Sequence, residues 1–415
     1  MNHDPTTDRP HTRARRTRLL GALGLTTGLA LTVTACSTAS TPPADDASAT
    51  TAPHGWVAGA TESQEPQLGL LAVSATGETA LHDLLTGETT DLDRVGAAEH
   101  SATDGRFLVT SGGNRTTVID GGSWTVDHGD HTHYYAAEPR VVGTLEGGGP
   151  VQVHSSETMT TIAWPERGEA VVLDRAALGQ GELDETARLD ATVLLPLGEH
   201  LVAAEGDTVR VLDTDGEQTG STEPTGSTSA GQACTDPAGG IVTRAGAVVG
   251  CADGAVVVDD AGATSFVALP DDAERPTAFA ARAGRPTVAG LAGDTGFWLL
   301  DVRERAWQHV ATERPLRAVV AVDDQDEHVV GVDDTGRVVV VTASTGKVAT
   351  TDPLVDSDSD TDTDTAPLLQ VDAQRAYVAD PTAAVVHEID FADGARVART
   401  IELPFAPVAF AEVGL

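Results

Sequence analysis

Residues 328–342 read HVVGVDDTGRVVVVT. An apolar run, His328–Val332, meets a turn at Asp333–Gly336, and a second run follows from Arg337 to Thr342. Valine and threonine favour strands over helices, and aspartate and glycine supply the backbone geometry of tight turns. The stretch therefore predicts a β-hairpin. The same figure recurs on both sides of it. Gly69–Val73 is followed by Thr79–Leu84, and Phe107–Thr110 by Thr116–Asp120. Leu201–Ala204 leads into Thr208–Asp213, Ala247–Cys251 into Ala255–Asp259, and Ala376–Ala379 into Ala384–Ile389, while Phe297–Val302 is a further strand. No long segment carries a 3.6-residue apolar period, and the best helix candidate is a single turn near Arg175–Leu178.

Hairpins repeating at about 40–50 residues predict an all-β fold, a β-propeller of small antiparallel sheets. A domain from His54 to the C-terminus divides into about eight blades, and seven larger ones fit as well. Two tandem β-sandwiches are the alternative, but nothing linker-like breaks the chain midway. The run DSDSDTDTDT at 356–365 reads as a solvated loop, because hairpin pattern resumes directly after it. It lacks the central glycine and terminal glutamate of an EF-hand loop.

Composition agrees with many short strands. Hydrophobic residues make up 40% of the 415 and aromatics only 4%, so valine, alanine, leucine and threonine must fill the core. The formal charge is −37. A surface this acidic repels phosphate backbones, which argues against nucleic acid as a partner, and it concentrates cations. It also serves solubility without any specific ligand.

The N-terminus has the layout of an export signal. RPHTRARRTR (residues 9–18) is basic, LLGALGLTTGLALTVTA (residues 19–35) is apolar, and Cys36 follows. Val33-Thr34-Ala35-Cys36 resembles the lipobox of bacterial lipoproteins. That resemblance implies cleavage after residue 35 and lipidation of Cys36. The apolar stretch is short for a membrane span, which needs about 20 residues. Residues 36–53 are polar and of low complexity, a tether that cannot bury a core. The expected organisation is a signal peptide at 1–35, the tether at 36–53 and the propeller at 54–415, a monomer held at the membrane by its lipid.

Two cysteines remain, Cys234 and Cys251, in a compartment that permits disulfides. Their spacing suits a cross-link between neighbouring strands of one sheet. Two thiolates alone supply too few ligands for zinc.

Thirteen histidines are spread over the chain, yet three fall within six positions in DHGDHTHYY, residues 127–135. Imidazole nitrogens and carboxylate oxygens are ordinary zinc ligands. In an extended segment His131 and His133 project to one face. Gly129 lets the chain turn so that His128 swings toward them, and Asp130 either ligates or orients an imidazole. Copper and nickel also accept nitrogen-rich sites, but no methionine or cysteine lies nearby to favour copper. The alternative is a polar loop of solvated histidines. His154, at the end of an apolar run, is a candidate fifth donor. His54 and His100 are weaker candidates, and His387 sits in an alternating strand and reads as structural. Tyr134 and Tyr135 read as wall residues. No nucleophile elbow, phosphate loop or zinc-protease helix motif appears, and the chain is not expected to be an enzyme.

These residues resemble the AztD-type zinc metallochaperones, extracytoplasmic β-propeller partners of zinc ABC importers. The motif that carries the resemblance is DHGDHTHYYAAEP (127–139), joined by HGWVAGATESQEPQ (54–67), GCADGAVV (250–257) and AYVADPTAAVVHEIDFADGARVARTIELP (376–404). The resemblance implies zinc bound through His128, Asp130, His131 and His133, with His154 aligning to a family histidine on the next strand. It also implies delivery of zinc to the solute-binding protein of an importer. Two stretches depart from the pattern. The segments beginning at Arg188 and at Cys234 have no histidine where the family carries further ones. The other reading is a cell-surface propeller scaffold for protein interaction, with degenerate metal binding. A third, a metal-dependent hydrolase, would need a general base and a pocket beside the cluster.

Overall fold

The computed structural model describes residues 55–127, 131–217, 231–356 and 366–415. The hairpin at 328–342 forms as strands His328–Asp333 and Arg337–Thr342, paired antiparallel with His328 opposite Thr342. Its turn is held by one carboxylate. Asp333 Oδ1 accepts from the backbone N–H of Thr335 at 2.9 Å and of Arg337 at 3.1 Å, and Arg337 Nε donates to Oδ2 at 2.9 Å. Gly336 has φ +76°, and a Cβ there would lie 1.9 Å from the carbonyl oxygen of Val355, so both conformation and space demand glycine.

The near-continuous valine run has a packing reason. Alternate residues of a strand face opposite sides of its sheet. Val330, Val332, Val338 and Val340 enter one hydrophobic cluster, while Val329, Val339 and Val341 enter another. The strand pair is thus buried on both faces, and both sets must be apolar.

That arrangement holds around the whole domain. Among the described residues there are nine antiparallel sheets. Eight follow in chain order. The first consists of Pro407–Val413, Gly69–Ser74, Thr79–Asp83 and Thr89–Leu92, and the second of His100–Thr103, Phe107–Gly112, Arg115–Asp120 and Arg140–Glu146. The third runs over 152–190, the fourth over 193–233, the fifth over 240–268, the sixth over 287–311, the seventh over 316–353 and the eighth over 369–402. Hydrophobic clusters join each sheet to the next at every step. A further cluster, with Tyr377, Ala379 and Val386 against Leu70, Ala72 and Phe410, joins the eighth sheet back to the first. The result is a propeller-like arrangement, and the tandem-sandwich alternative falls because the shared clusters run on without a break. Backbone hydrogen bonds close the circuit as well, since the C-terminal strand Pro407–Val413 pairs with Gly69–Ser74 near the start of the domain. The sixth sheet has three strands, and beside its first strand, Thr287–Leu291, pairing is reduced to a bridge between Ala280 and Ala289.

The structure sharpens two expectations. The helical turn near Arg175–Leu178 is a six-residue helix, Arg175–Gln180, capped by the Asp174 side chain on the N–H of Ala177 and ended by Gly181 in the left-handed region. Cys234 and Cys251 form a disulfide with Cα atoms 5.1 Å apart. It does not join neighbouring strands of one sheet. Cys234 follows the outer strand Gln232–Ala233 of the fourth sheet, whereas Cys251 ends Gly246–Cys251 of the fifth, so the bond staples two sheets together. Sequence spacing is blind to this, because the chain crosses from one sheet to the next between the two cysteines.

Cys36 and His54 lie outside the described residues, as do His128, Gly129, Asp130 and residues 357–365 of the acidic run. Among the described residues, no helix is long and apolar enough to cross a membrane.

Candidate metal site on the edge hairpin

The ninth sheet carries the histidine motif. Between the third and fourth strands of the second sheet, the chain makes an extra hairpin, Ser123–Asp127 and Thr132–Ala136. The strand Thr61–Ser63 adds to its open edge, with Thr61 opposite Ala136, Glu62 opposite Tyr135 and Ser63 opposite Tyr134.

The base of this hairpin is locked into the second sheet. Arg106 and Asp120 form a bidentate pair, Nε to Oδ1 at 3.0 Å and an Nη to Oδ2 at 2.9 Å, with side chains 4% and 0% exposed. The Arg106 guanidinium lies 3.7 Å from the ring centre of Trp124. Trp124 donates its indole N–H to the carbonyl of Gly55 at 3.0 Å and stands across the hairpin from Tyr135, ring centres 5.5 Å apart. Tyr135 is buried and stacks on His133, ring centres 6.0 Å apart and planes 16° apart. Burial, and after it the charge of Glu62, push the Tyr135 hydroxyl above its ordinary range. Packing thus runs in a line from the core of the second sheet to one imidazole.

The tip is more open. His131 is exposed and His133 half-buried, with ring centres 4.9 Å apart in an edge-to-face contact. His131 immediately precedes the strand Thr132–Ala136 and His133 lies on it, and the ring contact brings the two imidazoles together. His133 Nδ1 lies 2.7 Å from Glu62 Oε1. When Nδ1 donates to that carboxylate, the imidazole lone pair resides on Nε2, the arrangement in which a histidine ligates a metal. Glu62 was not singled out by sequence reasoning. It stands about seventy residues before the motif, and nothing local announces that its short strand will pair there.

His154 lies elsewhere. It is on Gln152–Ser155, the first strand of the third sheet, opposite Thr161. Burial pushes its imidazole down to about 4, against the pull of nearby Asp104. Burial also works to raise Asp104, but Arg175, Ser155 and the N–H groups of Phe107 and Arg106 outweigh it and hold the carboxyl below its ordinary range. Arg175 donates to Asp104 Oδ2 at 2.7 Å and to Ser155 Oγ at 2.6 Å. His100 is exposed at the start of its strand, and His387 Nδ1 meets Thr400 Oγ1 at 3.1 Å across two strands of the eighth sheet. A cavity of about 570 Å³ opens beside the hairpin base, with Trp124, Asp127, Arg106, Ser155 and Arg175 on its wall.

Among the described residues, no group of three or more His, Cys, Asp or Glu side chains is arranged to hold a metal ion. The structure brings His131, His133 and the orienting Glu62 together and does not group His154 with them. Among the described residues, two imidazoles with one orienting carboxylate fall short of the four ligands of a closed zinc site.

No protein-family model and no curated protein matches the chain. Its fold is similar to the crystal structure of Citrobacter koseri AztD, with a TM-score of 0.69 at 16% identity over 84% of this chain and 98% of that one. The apo form of the same protein superposes with a TM-score of 0.68 at 15% identity and the same coverage. The dihydro-heme d1 dehydrogenase NirN, in complex with DHE, gives 0.53 at 12% identity over 86% and 80% of the two chains. At these identities the likeness is one of fold: the chain is built as a propeller-like domain of the kind seen in AztD.

Proposed function

We propose that this chain is an extracytoplasmic, eight-bladed β-propeller that acts as a protein-interaction scaffold and carries a reduced metal site on its edge hairpin. The observation that carries this reading is the pair His131–His133, with rings 4.9 Å apart and His133 oriented by Glu62. Two donors at the start of the strand Thr132–Ala136 bind a divalent ion weakly and leave coordination positions open to a partner's side chain. The eight-blade count rests on the unbroken circuit of shared clusters. The acidic surface suits a basic or histidine-rich partner. Lipidation at Cys36 would hold a monomer at the outer face of the membrane.

The second reading is a zinc metallochaperone that delivers its ion to the solute-binding protein of a zinc ABC importer. The motif at 127–139 and the AztD-like fold favour it. It requires His128 and Asp130 to complete the shell that His131 and His133 begin.

Zinc competition with a chelator separates the two readings, using residues 37–415 beside a His131→Ala/His133→Ala variant and a His128→Ala/Asp130→Ala variant. The scaffold reading expects weak zinc binding that the first variant loses and the second keeps. Tight binding of one zinc, lost in both variants, establishes the metallochaperone reading in its place. Binding equal in all three proteins removes the hairpin from both.

A further inference from the structure

The strand that closes the circuit carries an unusual residue. Glu412 lies on Pro407–Val413 and is 0% exposed. Among the described residues, neither Oε1 nor Oε2 has a hydrogen-bond donor. Its strand neighbours two residues away explain the burial. Phe410 packs into the cluster between the eighth and first sheets, whereas Ala411 and Val413 face the second sheet, so Glu412 points with Phe410 into the closing seam. A lone carboxylate there is untenable, because burying an unpaired charge costs several kcal/mol or more.

The group it meets is another acid. Asp372, itself buried, comes within hydrogen-bonding reach of Glu412 from the turn after Leu369–Val371 of the eighth sheet. Its Oδ1 is taken by the backbone N–H groups of Gln374 and Arg375, each at 2.6 Å. Two carboxyl groups can bond only if one of them carries a proton. We propose that Glu412 and Asp372 share a single proton across the seam between the first and eighth sheets, and that this proton latches the closure of the circuit.

The surroundings agree. Burial first, then the charge of Asp372 and of Glu388, hold the Glu412 carboxyl well above its ordinary range. The nearby cations are committed elsewhere. Arg375 pairs with Glu388 at 3.1 Å and Asp390 at 3.3 Å, and Arg399 also bonds Glu388. Arg282, from the segment before the sixth sheet, feels Asp372 among several acids, but burial dominates its environment. Tyr377 lies close, its hydroxyl raised by burial and by Glu412. On the other side, Leu70 stands opposite Glu412, and the adjoining strand His100–Thr103 brings His100 as its titratable group.

The sign of the effect follows from linkage. A carboxyl that binds its proton more tightly in the folded chain contributes stability that is complete below the ordinary carboxylate range. That contribution is lost as pH climbs through the folded value. The latch weakens in alkali.

Urea midpoints of the purified protein from pH 5 to pH 9 test this beside Glu412→Gln and Asp372→Asn. The wild-type midpoint falls with pH, and Glu412→Gln, a neutral isostere that still donates to Asp372, has a flatter profile and overtakes wild type at high pH. Asp372→Asn, which gives Glu412 a donor, flattens the profile too and serves as the reading if the first variant does not fold. Infrared difference spectra at neutral pH show a protonated carboxyl in wild type that Glu412→Gln lacks. Parallel midpoint slopes in all three proteins, or no protonated carboxyl at neutral pH, overturn the proposal. So does a wild-type midpoint that drops on adding EDTA while that of Glu412→Gln does not, since a cation would then occupy the seam.

Discussion

Two side-chain pairs sit at opposite ends of the edge hairpin unit. At its base, Arg106 and Asp120 are almost wholly buried and doubly bonded. At its tip, His133 and Glu62 approach just as closely, at 2.7 Å, but Glu62 is 47% exposed. Distance alone would rank them together. Solvent separates them, because water and salt screen the tip pair while the base pair has no other way to satisfy its charges. The base therefore fixes architecture. The tip can change its donors at little structural cost, and chemistry can be gained or lost there without unfolding the domain.

Breaking the base should have the largest effect. Asp120→Asn leaves Arg106 buried without its counter-charge and should cost about 3–5 kcal/mol, read as a lower denaturant midpoint. A cost below about 1 kcal/mol would erase the contrast between base and tip. The covalent staple offers a comparison of similar size. A Cys234→Ala/Cys251→Ala variant opens a link of sequence separation 17 and should lose about 3 kcal/mol, and reductant should lower the midpoint of wild type but not of the variant.

His154 sharpens the contrast by separating burial from pairing. Its folded value of about 4 lies below the ordinary 6.5, so the unfolded chain takes up a proton first as pH falls. Stability present above pH 6.5 should decline by about 3 kcal/mol by pH 4, and His154→Gln should remove that part of the acid profile. The smallest effect on stability belongs to the tip. Glu62→Gln should change the unfolding free energy by less than about 1 kcal/mol. The same substitution should weaken zinc binding by about tenfold or more, because the carboxylate orients His133. Unchanged zinc affinity would make Glu62 a bystander.

The hairpin at 328–342 was legible because its information is local: turn residues, strand formers and a run buried on both faces. The same holds for the approach of His131 and His133, whose two-residue spacing in an extended segment puts their rings together at the start of the Thr132–Ala136 strand. Glu62 was not legible. The three-residue strand that carries it has too little sequence to declare a partner, and its register on Thr132–Ala136 is set by the hairpin's anchorage through Trp124 and Arg106. The sheet membership of Cys234 and Cys251 was hidden for a similar reason, since the crossing between sheets has no sequence mark.

By itself, then, the sequence determined an all-β chain of repeated hairpins and a histidine-rich turn, because strand propensity, turn chemistry and side-chain alternation act over a few residues. Only the tertiary structure decided which strand closes the circuit, that the disulfide staples two sheets, that Glu62 meets His133 and that Glu412 meets Asp372. Each of those contacts joins residues from separate elements, and their partners are chosen by how whole sheets pack, which no short stretch of sequence specifies.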